Sequence, residues 1–572
     1  MTIIKPPAHM LYSGYLKGDN TLAPQFWGNI PTTMGEATKS LTKIREIYGE
    51  PPETLYPLQK AMKKNLRMMG ILTKKTAENI DKMQHGVIEA GQQPNCLGGP
   101  SLILNKIAYA KNLAQQADIV PLYYVADYDG VQPELTNTRL PSPSAKGIMI
   151  NYPTEQQHEN SSIYTLENPP EEWLNKTLEK IESNYRGLIK GTDNQERLQQ
   201  NLHHIYTVIK QAYFTTENVS TFSTKLIGSI LNHEANLAIP TYWHSMPETR
   251  HLFQQGYETL LAEPNRTKFI ETTNKAAETI ETTGYRSQIG LRDNDYIPFY
   301  IECRDCNKTR VELKYNRNTG SPTATAKGKC PKCGSNHEFS FNAENPDLTE
   351  IANEINPRVD SRQVIVDSVI PILAHIGGPG ETSYYAEVIP AAKALDLPFP
   401  IFLRYTRTFY NTPWNTIAAE KLQTNGYTPL TNKTLFNEIG NWVESRNKQD
   451  STKLAHSHVA IQENIESSYQ NLLELSDKLQ KEVEAIKQKL REPGDRKALI
   501  QELRQKQKTA QEIETYLSWA YGRFSPEKYG QEVSWNWIDL ATVTGLNDLM
   551  NVYERIYNPH TPNSSMFYVN LS

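Results

Sequence analysis

Long apolar runs are missing from this chain. No stretch reaches the roughly 18 consecutive apolar residues that a membrane-crossing helix needs. The richest, Val364 to Ile376, is broken by Asp367, Ser368, Pro371 and His375. A membrane partner is therefore not expected. The opening MTIIKPPAHMLYSGYL has no basic stretch followed by an apolar one, so no secretory leader is expected. Cysteine is scarce, five in 572 residues, and four of the five form two Cys-x-x-Cys pairs. This pattern excludes a disulfide framework and fits a reducing compartment, the cytoplasm. An excess of one charge is lacking too. Sixty Lys and Arg face 64 Asp and Glu, a net charge of −4. That excludes a uniformly basic surface and bulk DNA binding as the main function. Neither a G-x-G-x-x-G nor a Walker A sequence is present.

What is there describes a folded protein. Apolar residues make up 38% and charged residues 22%, and 31 tyrosines and 8 tryptophans argue against disorder. The length predicts about three to five structural units. Pro51 to Glu89 reads as helical. A turn at Gly98-Gly99-Pro100 follows, then SLILNKIAYAKNLAQQ with helical spacing, then IVPLYYVAD, a buried strand ending in Asp127. A loop with Asp129 and Gly130 comes next. The pattern returns: DSVIPILAHI as a strand, Gly377-Gly378-Pro379-Gly380 as a turn, ETSYYAEVIPAAKAL as a helix and FPIFLRYT as a strand. The second Gly-Gly-Pro and Pro400 lie the same 279 residues beyond the first Gly-Gly-Pro and Pro121. Two turn–helix–strand units of one open parallel sheet are expected.

Between them, Glu171 to Thr283 reads as mostly helical, with a strand near Leu237 to Trp243. Near the C-terminus, Leu472, Leu475, Leu479, Val483, Ile486 and Leu490 keep a heptad spacing. Glu492-Pro493-Gly494-Asp495 marks a turn. Leu499, Leu503, Ala510, Ile513 and Leu517 form a second stripe. The reading is an antiparallel helical hairpin or coiled coil, through which a homodimer could form.

Cys303-x-x-Cys306 and Cys330-x-x-Cys333 are separated by 23 residues. Two such knuckles offer four thiolates to one ion, the closed tetrahedral geometry that structural zinc prefers. The runs YIPFYIEC and VELKYN read as the short strands of a zinc ribbon. The fifth cysteine, Cys96, reads as a small apolar filler beside the first glycine turn, with a reactive thiol near a helix N-terminus as the alternative. A Gly-rich turn leading into a helix exposes backbone N–H groups to an anion, a carboxylate or phosphate. Two in one sheet suggest a shared cleft at the strand C-termini.

These motifs resemble the bacillithiol biosynthesis cysteine-adding enzymes, the BshC family. The resemblance rests on Gly91-Gln92-Gln93 through Gly-Gly-Pro to Lys106, and on the strand Val120 to Tyr124. It rests also on Asn356-Pro357, Arg362, Asp367 and Pro371 leading into Gly377-Gly378-Pro379-Gly380-Glu381 with Tyr384, and on Pro400 to Arg404. It covers about residues 12 to 420 and the tail. It implies an α/β fold with a split Rossmann-like parallel core, helical connecting segments and a C-terminal coiled coil. With the zinc ribbon added, the expected units are 1–155 and 342–450 for the two parts of the core, 156–297 for the helical connection, 298–341 for the ribbon and 451–572 for the coiled-coil region. The resemblance implies a ligase that condenses cysteine with the amine of glucosaminyl-malate, and a dimer. Where the family has Glu-Asp-His-Asp, this chain has Tyr128-Asp129-Gly130-Val131. The ribbon is not a usual family feature and resembles modules of class I lysyl-tRNA synthetases.

For amide chemistry the candidate catalytic residues are Asp129, Glu381 and Arg362. Asp129 is the first choice to take the amine proton. Candidate substrate-binding residues are Gln92, Gln93, Gly98, Gly99, Lys106, Asp127, Gly377, Gly378, Gly380, Tyr384 and Arg404. The expected ligands are structural Zn²⁺, an amino acid and an amine acceptor as small-molecule substrates, and ATP or another nucleotide. The alternative is a class I synthetase-like zinc protein that binds nucleotide or tRNA without this chemistry. Arg304, Lys308, Arg310, Lys314, Arg317, Lys327 and Lys329 around the ribbon would serve it. A blander reading is a scaffold that dimerises through its coiled coil.

Overall fold

The computed structural model describes residues 23–142, 147–154, 160–424, 451–492, 496–524, 531–561 and 566–571. The N-terminal leader reading and the turn at Pro493–Asp495 lie outside them. No helix among the described residues is long and apolar enough to cross a membrane.

Strand β1 (Val87–Gln92) leads through the helix Leu102–Ala117 to β2 (Val120–Val125). An antiparallel pair follows, β3 (Asn137–Leu140) with β4 (Ile148–Asn151). The connecting region holds helices Glu171–Ile189, Gln195–Phe214, Val219–Ser229, Gln254–Leu261 and Asn265–Thr282, with β5 (Thr241–Trp243) among them. Next come β6 (Tyr296–Glu302), β7 (Arg310–Arg317), β8 (Thr323–Lys329), β9 (Asn336–Asn342) and β10 (Ile355–Pro357), an antiparallel sheet in the order β10-β6-β7-β8-β9. Strand β11 (Ile372–Gly377) runs into the helix Pro379–Ala394 and β12 (Ile401–Arg404). Finally β13 (Arg407–Asn411) pairs in parallel with β14 (Met566–Asn570).

The core is a five-stranded sheet in the order β12-β11-β1-β2-β5, parallel throughout. Strand β2, VPLYYV, is buried at all six positions, as a strand covered on both faces must be. The two turn–helix–strand units sit in this one sheet. They diverge from its centre, with β1 and β11 side by side and each helix leading outward. The strand expected near Leu237–Trp243 is β5, on the edge beside β2.

Two expectations change. The segment read as helix from Pro51 to Glu89 is helical at Leu55–Met69 and Lys74–Lys82, but Val87–Gln92 is the central strand. VIEAGQ hides this, because an acid and a glycine interrupt the apolar pattern of a buried strand. Likewise only the second half of DSVIPILAHI is strand. Arg362–Asp367 is a short helix ahead of it.

The C-terminal helices Ser451–Lys489 and Arg496–Phe524 pack against each other. Leu472, Leu479, Val483 and Ile486 are buried, as is Ile513. Lys506 reaches Glu482 at 2.7 Å and Gln480 reaches Glu514 at 2.9 Å. The apolar stripe is thus covered by the chain's own second helix. The helices after residue 536 pack on the core. Trp537 Nε1 donates to the Leu97 carbonyl at 2.9 Å, beneath the first glycine turn. Glu532 Oε1 accepts from Asn105 Nδ2 at 2.9 Å, and Tyr557 Oη donates to Asn105 Oδ1. Asn105 lies within the Leu102–Ala117 helix, which is therefore buried nearly all round.

Candidate functional site

The strand order reverses between β1 and β11, where an open parallel sheet forms its crevice at the strand C-termini. Glu89 of β1 is fully buried there, and a buried carboxylate needs a partner. That partner is Arg362, whose Nη2 lies 2.7 Å from Glu89 Oε1. Gly91 permits the approach. A Cβ at that position would lie 2.7 Å from Arg362 Nη2, too close for any side chain. The Arg362 guanidinium also lies over the Tyr124 ring, 4.6 Å from its centre.

His375 of β11 stands between two carboxylates. Its Nδ1 is 3.4 Å from Glu89 Oε2 and its Nε2 is 3.1 Å from Glu381 Oε1. Glu381 sits in the first turn of the Pro379–Ala394 helix. Its Oε2 takes Lys106 Nζ at 2.6 Å and the Gly378 N–H at 2.6 Å. The second glycine turn is thus capped by its own chain, as acids at helix N-termini commonly do. Lys106 also donates to Gly91 O at 3.0 Å and Gln92 Oε1 at 3.1 Å. Gln92 Nε2 donates to Gln93 Oε1 at 2.9 Å, and Gln93 Nε2 to Asp129 Oδ2 at 3.0 Å. One polar chain therefore runs from Arg362 through Glu89, His375, Glu381, Lys106, Gln92 and Gln93 to Asp129.

The carboxylates along it differ. Burial alone would raise Glu381, but Lys106 and His375 hold it well below the usual carboxylate range. At Glu89 burial likewise raises the carboxylate, and the Arg362 and His375 side chains outweigh it, holding Glu89 below its ordinary value. Both stay ionised near neutral pH. Asp129 behaves oppositely. Burial raises it, and Arg310 and Gln93 only partly offset this. Its side chain keeps 28% of its surface open, so it can meet a ligand. Asp127 faces elsewhere. Its Oδ2 accepts from Ser220 Oγ at 2.9 Å and from Ser245 Oγ, and its Oδ1 from Ser245 N–H at 2.9 Å. Burial pushes it up to about 6.

The remaining candidates are scattered. Gly98 and Gly99 lie under Trp537 and Asn536 of the C-terminal segment, whose side chains both donate to Leu97 O. They are walled off from the crevice. Gly377 ends β11 beside Arg404, which is 2% exposed at the end of β12. Gly380 is exposed at the helix start. Tyr384 lies beside Tyr385, the rings tilted by 38° with centres 5.0 Å apart, near Glu381. Glu89 was not among the sequence candidates because its segment reads as helix. His375 was not among them either. Its position just before Gly377-Gly378 was the available signal. Gln363 stands between Arg362 and Asp367, accepting from Arg362 Nη1 and donating to Asp367 Oδ1.

The four ribbon cysteines converge, their Sγ atoms all within 4.8 Å of one another. Cys303–Cys333 and Cys306–Cys330 are each 3.5 Å apart. That suits the edge of a zinc–thiolate tetrahedron, about 3.8 Å for bonds of about 2.3 Å. Thr309 Oγ1 lies 3.4 Å from Cys306 Sγ and Ser335 Oγ 3.2 Å from Cys333 Sγ, hydroxyl donors that suit thiolate ligands. The cluster could hold one metal ion such as zinc.

A family model described as "Bacillithiol biosynthesis BshC, N-terminal Rossmann-like domain" matches residues 3–405. Three relatives each carry the name "Putative cysteine ligase BshC". That of Carboxydothermus hydrogenoformans is 24% identical over 438 residues, covering 74% of this chain and 72% of its own. That of Lysinibacillus sphaericus is 22% identical, covering 58% and 57%. That of Solibacter usitatus is 22% identical, covering 52% and 50%. With a parallel sheet whose strand order reverses at its centre and a family match over most of its length, this chain belongs to the BshC family.

Proposed function

We propose that the chain is a carbon–nitrogen ligase that joins an amino acid, cysteine, to the amine of an amino-sugar conjugate such as glucosaminyl-malate. The observation that carries this reading is the polar chain at the crevice, which ends in one part-exposed carboxylate of raised proton affinity, Asp129. Amide formation needs an amine stripped of its proton and an activated carboxylate. Asp129 is the group suited to take that proton, because its affinity is shifted toward the working pH while Glu89 and Glu381 stay ionised. Glu381, Lys106 and Gln92 hold Gln93, and through it Asp129, in place. Arg362 balances the buried Glu89. Joining carboxylate to amine expels water, so an activating co-substrate, ATP or another nucleotide, belongs to the proposal. A metal bound by four thiolates has no open position and supplies stability to the ribbon rather than a step.

The nucleic-acid reading loses its main support. Arg304 pairs with Glu354, Lys314 with Asp295, Arg317 with Glu344, Lys327 with Glu338 and Arg310 with Asp129, so acids are interleaved with five of the seven basic residues near the ribbon.

The test uses zinc-loaded full-length protein with cysteine and glucosaminyl-malate, with and without ATP. The condensed thiol is read by mass spectrometry. Product is expected with wild type, and Asp129→Asn should lower its rate at least about 100-fold. No product from folded wild-type protein overturns the reading.

A further inference from the structure

The ribbon does more than decorate the fold, because its first knuckle leans on the Asp129 loop. Arg310 begins β7, four residues after Cys306. Thr309, just before it, is part of the knuckle. Its carbonyl accepts from Cys303 N–H at 2.9 Å, and its hydroxyl lies 3.4 Å from Cys306 Sγ. On its outer side the knuckle pairs with a short extended segment. Thr309 bridges Ser161, their hydroxyls 3.4 Å apart, and Arg310 N–H donates to Asn160 O at 2.9 Å. The opposite edge of that segment holds the Asp129 loop. Gly130 bridges Ser162, Val131 N–H donates to Ser161 O at 2.9 Å, and Ile163 N–H donates to Asp129 O at 2.7 Å. Knuckle, segment and loop form three adjoining strips.

The Arg310 side chain crosses these strips. Its Nη1 lies 4.0 Å from Asp129 Oδ1, and its guanidinium fills the space beside Gly130. A Cβ at position 130 would stand 2.6 Å from Nη2 and 3.3 Å from Cζ, so a side chain there would push the guanidinium away from Asp129. The module is itself anchored beside this point. Glu302, the residue before Cys303, is buried and accepts from Arg250 Nη1 at 2.9 Å, Asn356 Nδ2 at 2.8 Å and Tyr164 Oη at 2.7 Å.

We propose that Arg310 is a positioning residue for Asp129, and that the metal-loaded four-cysteine module is what holds it there. The proposal rests on the reading of Asp129 as the working carboxylate. The charged groups that face Asp129 are Arg310 from β7 and Arg362 from the Arg362–Asp367 helix, both favouring its ionised form, and Glu134 from the segment after the loop, opposing it. Tyr128 adjoins it. Removing Arg310 leaves burial and Glu134 less opposed, so Asp129 should hold its proton to higher pH.

The experiment has two arms, neither of which needs turnover. In the first, zinc-loaded full-length protein and the same protein stripped by a chelator are compared by hydrogen exchange. Stripping should speed exchange at Val131 and Ile163 at least about tenfold while β1 and β2 stay protected. Equal protection at Val131 and Ile163 in the two forms overturns the role of the module. In the second, the stability difference between Asp129 and Asp129→Asn proteins is followed against pH in wild-type, Arg310→Ala and Arg310→Lys backgrounds, each checked for one zinc per chain. The Asp129 midpoint should rise by about one pH unit in Arg310→Ala and return toward wild type in Arg310→Lys. An unmoved midpoint in Arg310→Ala overturns the role of Arg310. If both arms behave as expected while no condensed thiol forms, the ligase reading fails and the positioning role stands.

Discussion

At the scale of single residues, the crevice is governed by which carboxylates keep their protons. Glu89 and Arg362 are both buried and face each other at 2.7 Å. Arg362→Met strands an ionised Glu89 in the core and should cost about 3–5 kcal/mol of stability. Adding Glu89→Gln should restore part of it, and urea midpoints of the two proteins measure the recovery. Asp127 gives a pH effect of definite sign. Its folded value, about 6, lies above the ordinary aspartate value near 3.9. The folded state therefore binds the proton more tightly, and stability falls as pH rises from about 4 to about 6, by about 3 kcal/mol at most, then levels off. Asp127→Asn should remove that slope in urea titrations at successive pH values. Glu381 acts in the other direction. Its depressed value means its contribution is complete above about pH 4.5 and is lost on further acidification.

At the scale of elements, the sequence showed the pieces whose pattern is local. The fully buried β2, the paired glycine turns with their helices and the two Cys-x-x-Cys knuckles all stand where their spacing put them. Strand β1 was hidden, because its most important residue, Glu89, is a charge buried only by virtue of Arg362 and His375 from distant segments. No local pattern announces such a partner. The same holds for Arg310. In sequence it is one of several basic residues near the ribbon, and only the pairing of Thr309 with Ser161 brings it to Asp129. The metal module yields its own prediction. Cys330→Ser should abolish tight zinc binding and loosen β6 to β9, read as zinc content and hydrogen exchange, with the parallel sheet left protected. In the helical pair, Ile513 is fully buried. Ile513→Ala should destabilise the pair by about 2–4 kcal/mol, seen as faster proteolysis between residues 470 and 520.

At the scale of the whole molecule, the last described segments are part of the core. Trp537 reaches the Leu97 carbonyl, and Glu532 and Tyr557 close over Asn105. Deleting residues 531–572 should therefore collapse the soluble yield of the entire chain instead of trimming a tail. Trp537→Ala should cost about 3–5 kcal/mol. This closure sets a timetable for synthesis. Lys106 and Glu381 are 275 residues apart, and Leu97 and Trp537 are 440 apart. At about 5–20 residues per second, a ribosome delivers the second member of these pairs about 14–55 s and about 22–88 s after the first. Until Arg362 and β11 emerge, β1 carries an unneutralised acid and an unpaired edge. The first glycine turn is left without its Trp537 cover until that segment has emerged as well.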